Sequence, residues 1–526
     1  MFKKNNIINF WVLSFTFSLA ACGGSSDSAE KKIVSKTAPV ITLAADNIEY
    51  MQSARVTLAA SISDQENNVD AIKWTLLSSP EGAEINIEDN TKQNTQFLAP
   101  NVLGEYKLNL SATDTDGLES NKEMLVNIVS LETYLVPKLE KLINNHYEKH
   151  KALVSNMALR VNFEDFDFVW QSAVGLADTS EQREMTEYDS FRIASVSKNI
   201  TAVTALKLID LGHFELDTPI GDILSDSDLP DGYTVDDLHV KDGIKRGKTI
   251  TIRQLMDHSS GIRNFISYLT DTESPDYLEF ESALSDEPRT LPALWTSQLI
   301  LSNILDRGLT KNLDTLPGEA FLYSNSGTHL LAIVIEKVTN TSIHDAMKNL
   351  VFRPLNMNDT YMDMFQQSIA TPVDHFFDVN ESDYSNSLPE NMYGNQNIIE
   401  LNINTSYNPA GAGIISTLAD LDRFYAALKH NTLIINEALQ QELHTWKLDD
   451  GDGGAYGLGL DIRSYIVGNS TYTHRGHSGL WGVEAFDYQP IDVRIIGWVN
   501  QANTEADLNL EVLSLLDEIG FKYTSF

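Results

Sequence analysis

The sequence predicts an α+β protein: an antiparallel sheet flanked by helices, with an all-helical subdomain inserted between the parts of that sheet, and a small β-sandwich module ahead of it. Three observations carry this prediction. Residues 38–130 alternate apolar and polar at period two, the apolar spacing turns helical at Leu131, and strand-like runs return between Tyr456 and Val499 after a long helical middle.

The chain opens with Lys3 and Lys4, an apolar run from Ile7 to Leu19, and Leu19-Ala20-Ala21-Cys22-Gly23. This resembles a bacterial lipoprotein signal, which implies a signal peptide over residues 1–21, lipidation of Cys22 and a place in the cell envelope, on the membrane through the lipid. Gly23 is not the Asp that such signals use for inner-membrane retention, so the outer membrane is favoured. Cys22 is the one cysteine of the chain, which excludes a disulfide within it. Residues 22–37 are too poor in apolar side chains to pack and read as a flexible tether.

From residue 38 to 130, Val56, Leu58, Ala60 and Ile62 alternate with polar or small neighbours, as do Tyr106, Leu108, Leu110 and Ala112. The turns Asp64-Gln65-Glu66-Asn67-Asn68, Pro80-Glu81-Gly82 and Asp114-Thr115-Asp116-Gly117 punctuate short strands, giving an antiparallel sandwich around Trp74. The order Trp74, Phe97-Leu98-Ala99-Pro100, then Tyr106 to Gly117 resembles PKD-like and immunoglobulin-like modules of bacterial surface proteins, which implies a spacer or an adhesion unit; a module that binds a surface glycan and targets the enzyme is a further reading. The acidic turns read as solvated hairpins rather than calcium loops.

The second domain, residues 131–526, starts with a helix carrying Leu135, Leu139, Leu142 and Ile143. Strands follow over Ala158–Asn162 and Phe168–Val174. Next comes Phe191-Arg192-Ile193-Ala194-Ser195-Val196-Ser197-Lys198, leading into Ile200, Val203, Leu206 and Ile209 at helical spacing. Residues three apart on a helix are neighbours, so the Ser195 hydroxyl and Lys198 amine can meet, in a first turn where free N–H groups favour charge on oxygen. Residues 221–248 read as loop, and residues 268–315 as an acidic lid or rim with some helix. Helices are expected over Leu330–Val338, Leu421–Leu428 and about Leu508–Ile519.

Formal net charge is −36, which argues against nucleic acid and against electrostatic attachment to anionic lipid. No motif asks for a cofactor or a metal: His-Glu-x-x-His is absent, and Gly476-His477-Ser478-Gly479 lacks the spacing of a Gly-x-Ser-x-Gly elbow.

Three separated motifs, Ser195-Val196-Ser197-Lys198, Tyr323-Ser324-Asn325 and His477-Ser478-Gly479, resemble in that order the class C β-lactamase-like family of penicillin-recognising serine hydrolases, which also holds DD-peptidases and esterases. Ile250–Gly261, Pro317-Gly318 before Tyr323, and Ala412-Gly413-Ile414-Ile415-Ser416-Thr417 match further segments of that family, with Ala412 in place of a usual Gly. The resemblance covers about Leu131 to the C-terminus. It implies a β-lactamase/transpeptidase-like fold and a serine hydrolase that forms an acyl-enzyme on Ser195, with Lys198 as base and Tyr323 sharing the proton. Asn325 would hold the substrate amide and orient Lys198. The oxyanion would meet the N–H groups of Ser195 and of Leu480, the residue after His477-Ser478-Gly479. A serine needs such a base, and a lysine serves only when neutral.

His477 departs from the Lys of the efficient β-lactamases and resembles the DD-peptidase and esterase members, so the expected substrate is a small molecule or peptide, an ester or a D-amino-acid amide. A weak β-lactamase and a non-catalytic peptidoglycan-binding envelope protein stay open as alternatives. Arg463 and Arg475 are candidate anchors for a substrate carboxylate, with surface ion pairing as the competing role. His258, beside Ser259 and Ser260, reads as a structural histidine.

Overall fold

The computed structural model describes residues 36–151, 154–266, 294–366, 372–374, 376–378, 398–400, 405–451, 453–468, 470–479, 482–502 and 507–519. The lipoprotein signal with Cys22, Leu480, and most of the tether lie outside the described residues, as does the larger part of the expected lid.

The period-two segment folds as strands around Trp74, Phe97, Tyr106 and Leu108, each at most 1% exposed. The Trp74 indole N–H donates to the carbonyl of Lys92 at 3.1 Å and the Tyr106 hydroxyl to that of Val102 at 2.7 Å, so both large rings bury their surface without orphaning the polar atom. Two details differ from the expected all-antiparallel sandwich. The Val56–Ile62 alternation divides into Arg55–Leu58, paired with Thr95–Leu98, and Ala60–Ser63, paired with Val40–Leu43. Asn47–Met51 also runs parallel to Glu119–Val129. These two strands are far apart in sequence and joined by no hairpin, so nothing forces them antiparallel. Asp64 and Asp114 accept backbone N–H groups of their own turns, from Glu66 at 2.9 Å and from Leu118 at 2.8 Å.

Met51 and Ala54 of this module pack in one apolar cluster with Leu131, Leu135, Leu139 and Ile143 of the Leu131–His150 helix. The Ser130 hydroxyl starts that helix by accepting the N–H of Thr133 at 3.1 Å.

Behind the helix lies the antiparallel sheet. Among the described residues its order is Arg183–Glu184, Phe168–Asp178, Asn156–Phe163, Val493–Val499, Val483–Gln489, Ser470–Gly479, Asp461–Val467, Ala455–Tyr456 and Leu448–Asp449. The first and last parts of the domain thus share one sheet, Asn156–Phe163 pairing with Val493–Val499. One face carries Leu159, Val161 and Phe163 against the Leu131–His150 and Leu508–Glu518 helices. The other carries Ala158, Ala485, Ile496 and Trp498 against the helical middle. Both faces being covered explains why Val493–Val499 is buried at every position rather than alternately.

Ser197–Asp210 is the central helix of that middle, buried on nearly all sides between the sheet and Asn325–Thr339. Residues 221–248, expected as loop, hold short 3₁₀ turns and a hairpin pairing Val240–Lys241 with Ile244–Lys245. Among the described residues, no helix is long and apolar enough to cross a membrane.

Candidate active site

Ser195 does not occupy the first turn of the central helix, as its spacing suggests, but a 3₁₀ turn, Ala194–Val196, that leads directly into it. Ala194 has φ +43°, a left-handed conformation that a residue with a Cβ adopts only at a cost, and it makes the chain turn sharply just before Ser195. Packing holds the turn: a Cβ added to Gly479 would come within 2.7 Å of the Ile193 carbonyl and 3.0 Å of the Ala194 Cβ. Gly479 therefore lets the end of the Ser470–Gly479 strand lie against the Ser195 turn.

From the helix, Lys198 reaches back. Its Nζ donates to Ser195 Oγ at 3.0 Å and to the carbonyl of Gly411 at 2.9 Å. Burial lowers its pKa from 10.5 to about 7, because the low-polarity surroundings disfavour the ammonium. No carboxylate lies within ion-pair distance of it among the described residues. The Tyr323 ring stands beside the amine, with its centroid 4.9 Å from Nζ. Ser195, Lys198 and Tyr323, from segments more than a hundred residues apart, thus share one place.

Asn325 is the first residue of the Asn325–Thr339 helix, capped by the Ser324 side chain. Its amide is engaged at both ends: Nδ2 donates to Asn264 Oδ1 at 3.0 Å, and Oδ1 accepts from Asn408 Nδ2 at 2.9 Å. The group holding Lys198 opposite Ser195 is thus the Gly411 carbonyl. Asn325 acts one step away, since a Cβ on Gly411 would lie 2.8 Å from Asn325 Oδ1 and 2.4 Å from Asn408 Oδ1.

His477 is buried on the same side. Its Nδ1 donates to the carbonyl of Ser478 at 2.6 Å, which fixes the tautomer and leaves Nε2 as an acceptor with no hydrogen-bond partner among the described residues. Burial first, and then the nearby Lys198, lowers its pKa to about 4, so the ring is neutral near pH 7. Ser478, next along the strand, turns to the opposite face and is exposed. Both candidate arginines have protein partners: Arg463 pairs with Asp450 at 2.6 Å and Asp461 at 3.5 Å, and Arg475 meets His444 at 3.3 Å.

The sequence did not single out Asn264, Asn408 or Tyr456, nor assign Gly411 a role. Asn264, Tyr456 and the Asn408–Gly411 segment come from separate parts of the chain, so no spacing announced them. A turn-rich Asn-Pro-Ala-Gly-Ala-Gly run was the one local signal, at residues 408–413.

With this geometry in place, the comparisons with known proteins are decisive on ancestry. A family model described as Beta-lactamase matches residues 159–515. The chain belongs to the beta-lactamase family. A second model, described as a PKD domain, matches residues 44–128. The chain is 26% identical over 352 residues to penicillin-binding protein 4* of Bacillus subtilis, covering 65% of this chain and 66% of that protein. It is 28% identical over 195 residues to esterase EstB of Burkholderia gladioli, covering 37% and 43%. The chain thus spans less than two thirds of either relative. The fold of a D-amino acid amidase from Ochrobactrum anthropi superposes with a TM-score of 0.57 at 21% identity, covering 73% of this chain and 99% of that one. Membership of the beta-lactamase family makes the domain a serine-hydrolase fold preceded by a PKD-like module, of the kind that carries esterase and peptidase chemistry.

Proposed function

We propose that the protein is a serine acyl-hydrolase that cleaves a neutral ester or a D-amino-acid amide through an acyl-enzyme on Ser195. The observation that carries this reading is the Lys198 amine, 3.0 Å from Ser195 Oγ and brought to a pKa of about 7 by burial. A neutral Lys198 takes the Ser195 proton as Oγ adds to the substrate carbonyl. The oxyanion is met by the Ser195 and Leu480 N–H groups. Tyr323 relays the proton that Lys198 took from Ser195 to the leaving alcohol or amine as its bond to the acyl carbon breaks; water, giving its proton up along the same route, then releases the acid and the serine recovers its proton. A His477 that stays neutral offers no fixed charge to a carboxylate, which favours neutral substrates over those with a free carboxylate.

The PKD-like module, residues 38–130, is proposed to hold the hydrolase domain, residues 131–526, away from a lipid on Cys22, in the cell envelope. A Cys22→Ala variant that stays with the membrane fraction would overturn that placement.

The test of the activity is a panel of short-chain nitrophenyl esters, a D-alanyl-D-alanine peptide, a D-amino-acid amide and a chromogenic cephalosporin, each with Ser195→Ala as control. Turnover of an ester or amide that drops by about 10³-fold or more in Ser195→Ala is expected. Turnover retained in Ser195→Ala sinks the reading, and preference for the cephalosporin redirects it to a lactamase.

A further inference from the structure

His258 carries two costs that a purely structural histidine has no reason to carry. Its backbone is left-handed, with φ +59°, a conformation that a residue with a side chain adopts only at a cost. Its Nδ1 accepts the N–H of Ser324 at 3.3 Å, so the neutral ring carries its proton on Nε2, and that nitrogen is buried without a hydrogen-bond partner among the described residues. A donor left so is a second cost, because the water it gave up is not replaced. The ring is driven strongly neutral by burial, and then by Lys198 and His477 nearby.

Those costs are matched by what His258 touches. Its carbonyl accepts the N–H of Leu322 at 2.7 Å and its Nδ1 takes that of Ser324, so it grips the backbone on both sides of Tyr323. The ring lies against the Tyr323 ring, centroids 4.5 Å apart, and against Tyr456 at 4.7 Å. Tyr456 in turn stands 6.5 Å from Tyr323, edge-on, and 5.7 Å from His477. Tyr323 is thus clamped at main chain and ring by a single residue from the Thr251–Gly261 segment. That residue is itself set by its neighbours: Gly318 N–H donates to Ser259 O at 2.7 Å, and Ser259 Oγ to Asp257 Oδ1 at 2.6 Å.

We propose that His258 is a positioning residue for proton delivery: it holds the Tyr323 hydroxyl at the leaving group, acting through Tyr323 rather than on the substrate. The inference rests on the Ser195 acyl-enzyme reading and adds to it the residue that sets the second proton transfer.

A leaving-group comparison separates this role from simple support of the fold. Nitrophenolate departs without protonation, whereas the alcohol of an ethyl ester needs a proton. His258→Phe keeps a ring against Tyr323 and removes the acceptor for Ser324. His258→Asn suits the left-handed backbone and removes the ring. The experiment measures kcat for the ethyl and nitrophenyl esters of one acid, with the wild type, both variants and Ser195→Ala.

In either variant, the expected result is a loss with the ethyl ester about tenfold or more greater than the loss with the nitrophenyl ester, at little change in KM. Equal losses on both esters, or failure of both variants to fold, overturn the proposal, because a structural residue lowers all turnover alike. Failure of the underlying acyl-enzyme reading shows separately, as turnover surviving in Ser195→Ala.

Discussion

Two buried groups of charge lie against the same face of the sheet and are built on opposite principles. Around Asp422, 5% exposed, Arg160 Nη2 approaches at 2.8 Å, Asn162 Nδ2 at 2.8 Å and Arg494 Nε at 2.7 Å. Arg494 continues to Glu164 at 2.6 Å, and Lys429 joins Glu164 to Asp492. Burial works to raise the Asp422 pKa, and the two guanidiniums outweigh it, so the carboxyl stays below its ordinary range. Lys198 is as deeply buried, at 3%, with a hydroxyl and a carbonyl for company. A paired network keeps its charges at every ordinary pH. An unpaired lysine gives its proton up, which a base for Ser195 requires.

The sharpest break of this contrast is Lys198→Met. It removes the proposed base and is expected to lower turnover by about 10³-fold or more, while the folded protein becomes about 1–3 kcal/mol more stable at pH 6, where a buried ammonium is replaced by an apolar chain of similar length. Urea titration beside ester assays reads both; a destabilised variant would show that Lys198 is structural. The mirror experiment is Asp422→Ala, which leaves Arg160 and Arg494 buried without their shared carboxylate. An expected loss of about 3–5 kcal/mol in urea unfolding, with kcat per folded molecule unchanged, marks this group as scaffold. A loss below about 1 kcal/mol would mean that water reaches the network.

How far each region was legible follows from the same contrast. Ser195, Lys198, Tyr323 and His477, which the fold brings together, could be singled out as candidates because each motif is local and the motifs come in a set order. The helices were found because Leu135, Leu139 and Ile143 repeat at helical spacing. The partners that complete the geometry were not: Gly411 holds Lys198, and Asn264 and Asn408 hold Asn325, through contacts between loops whose spacing in sequence carries no period. The Asp422 network was invisible for that reason too, since Arg160, Asp422 and Arg494 meet only when the first and last strands pair. The 3₁₀ turn at Ser195 escaped because helical periodicity begins one turn later, and the parallel strand Asn47–Met51 because alternation does not encode direction.

Acid separates the two regions without mutation. With Lys198 at about 7, kcat/KM is expected to fall about tenfold for each pH unit below that value and to level off above it. Glu164 is held at about 2 against an ordinary 4.5: burial alone would raise it, and Arg494 and Lys429 outweigh that. Its stabilisation is therefore complete above pH 4.5 and is lost only as pH falls toward 2, whereas Lys198, lowered in the fold, lends stability that grows as pH rises from about 7 toward 10.5. Near pH 5 the protein should be folded by circular dichroism yet about a hundredfold slower. Unfolding that tracks the loss of activity would tie the pH limb to the scaffold instead.

The smallest expected effect belongs to the arginines nearest the site's strand. Arg463 is about one third exposed and paired with Asp450, which is buried, and with Asp461. Such a pair contributes about 0–1 kcal/mol to stability. Because its guanidinium is committed to these carboxylates, Arg463→Ala should change KM for a neutral ester by less than about twofold. The same holds for Arg475→Ala, whose partner is His444. The informative arm uses an ester that ends in a free carboxylate, compared with its methyl-capped analogue. If neither arginine anchors a carboxylate, both variants leave the ratio of the two substrates where the wild type has it, and His477→Lys, which restores a fixed charge at the strand, moves the ratio toward the carboxylate. A ratio that collapses in Arg463→Ala alone would instead show that substrate draws Arg463 away from Asp450, so that the pairing seen here is a resting state.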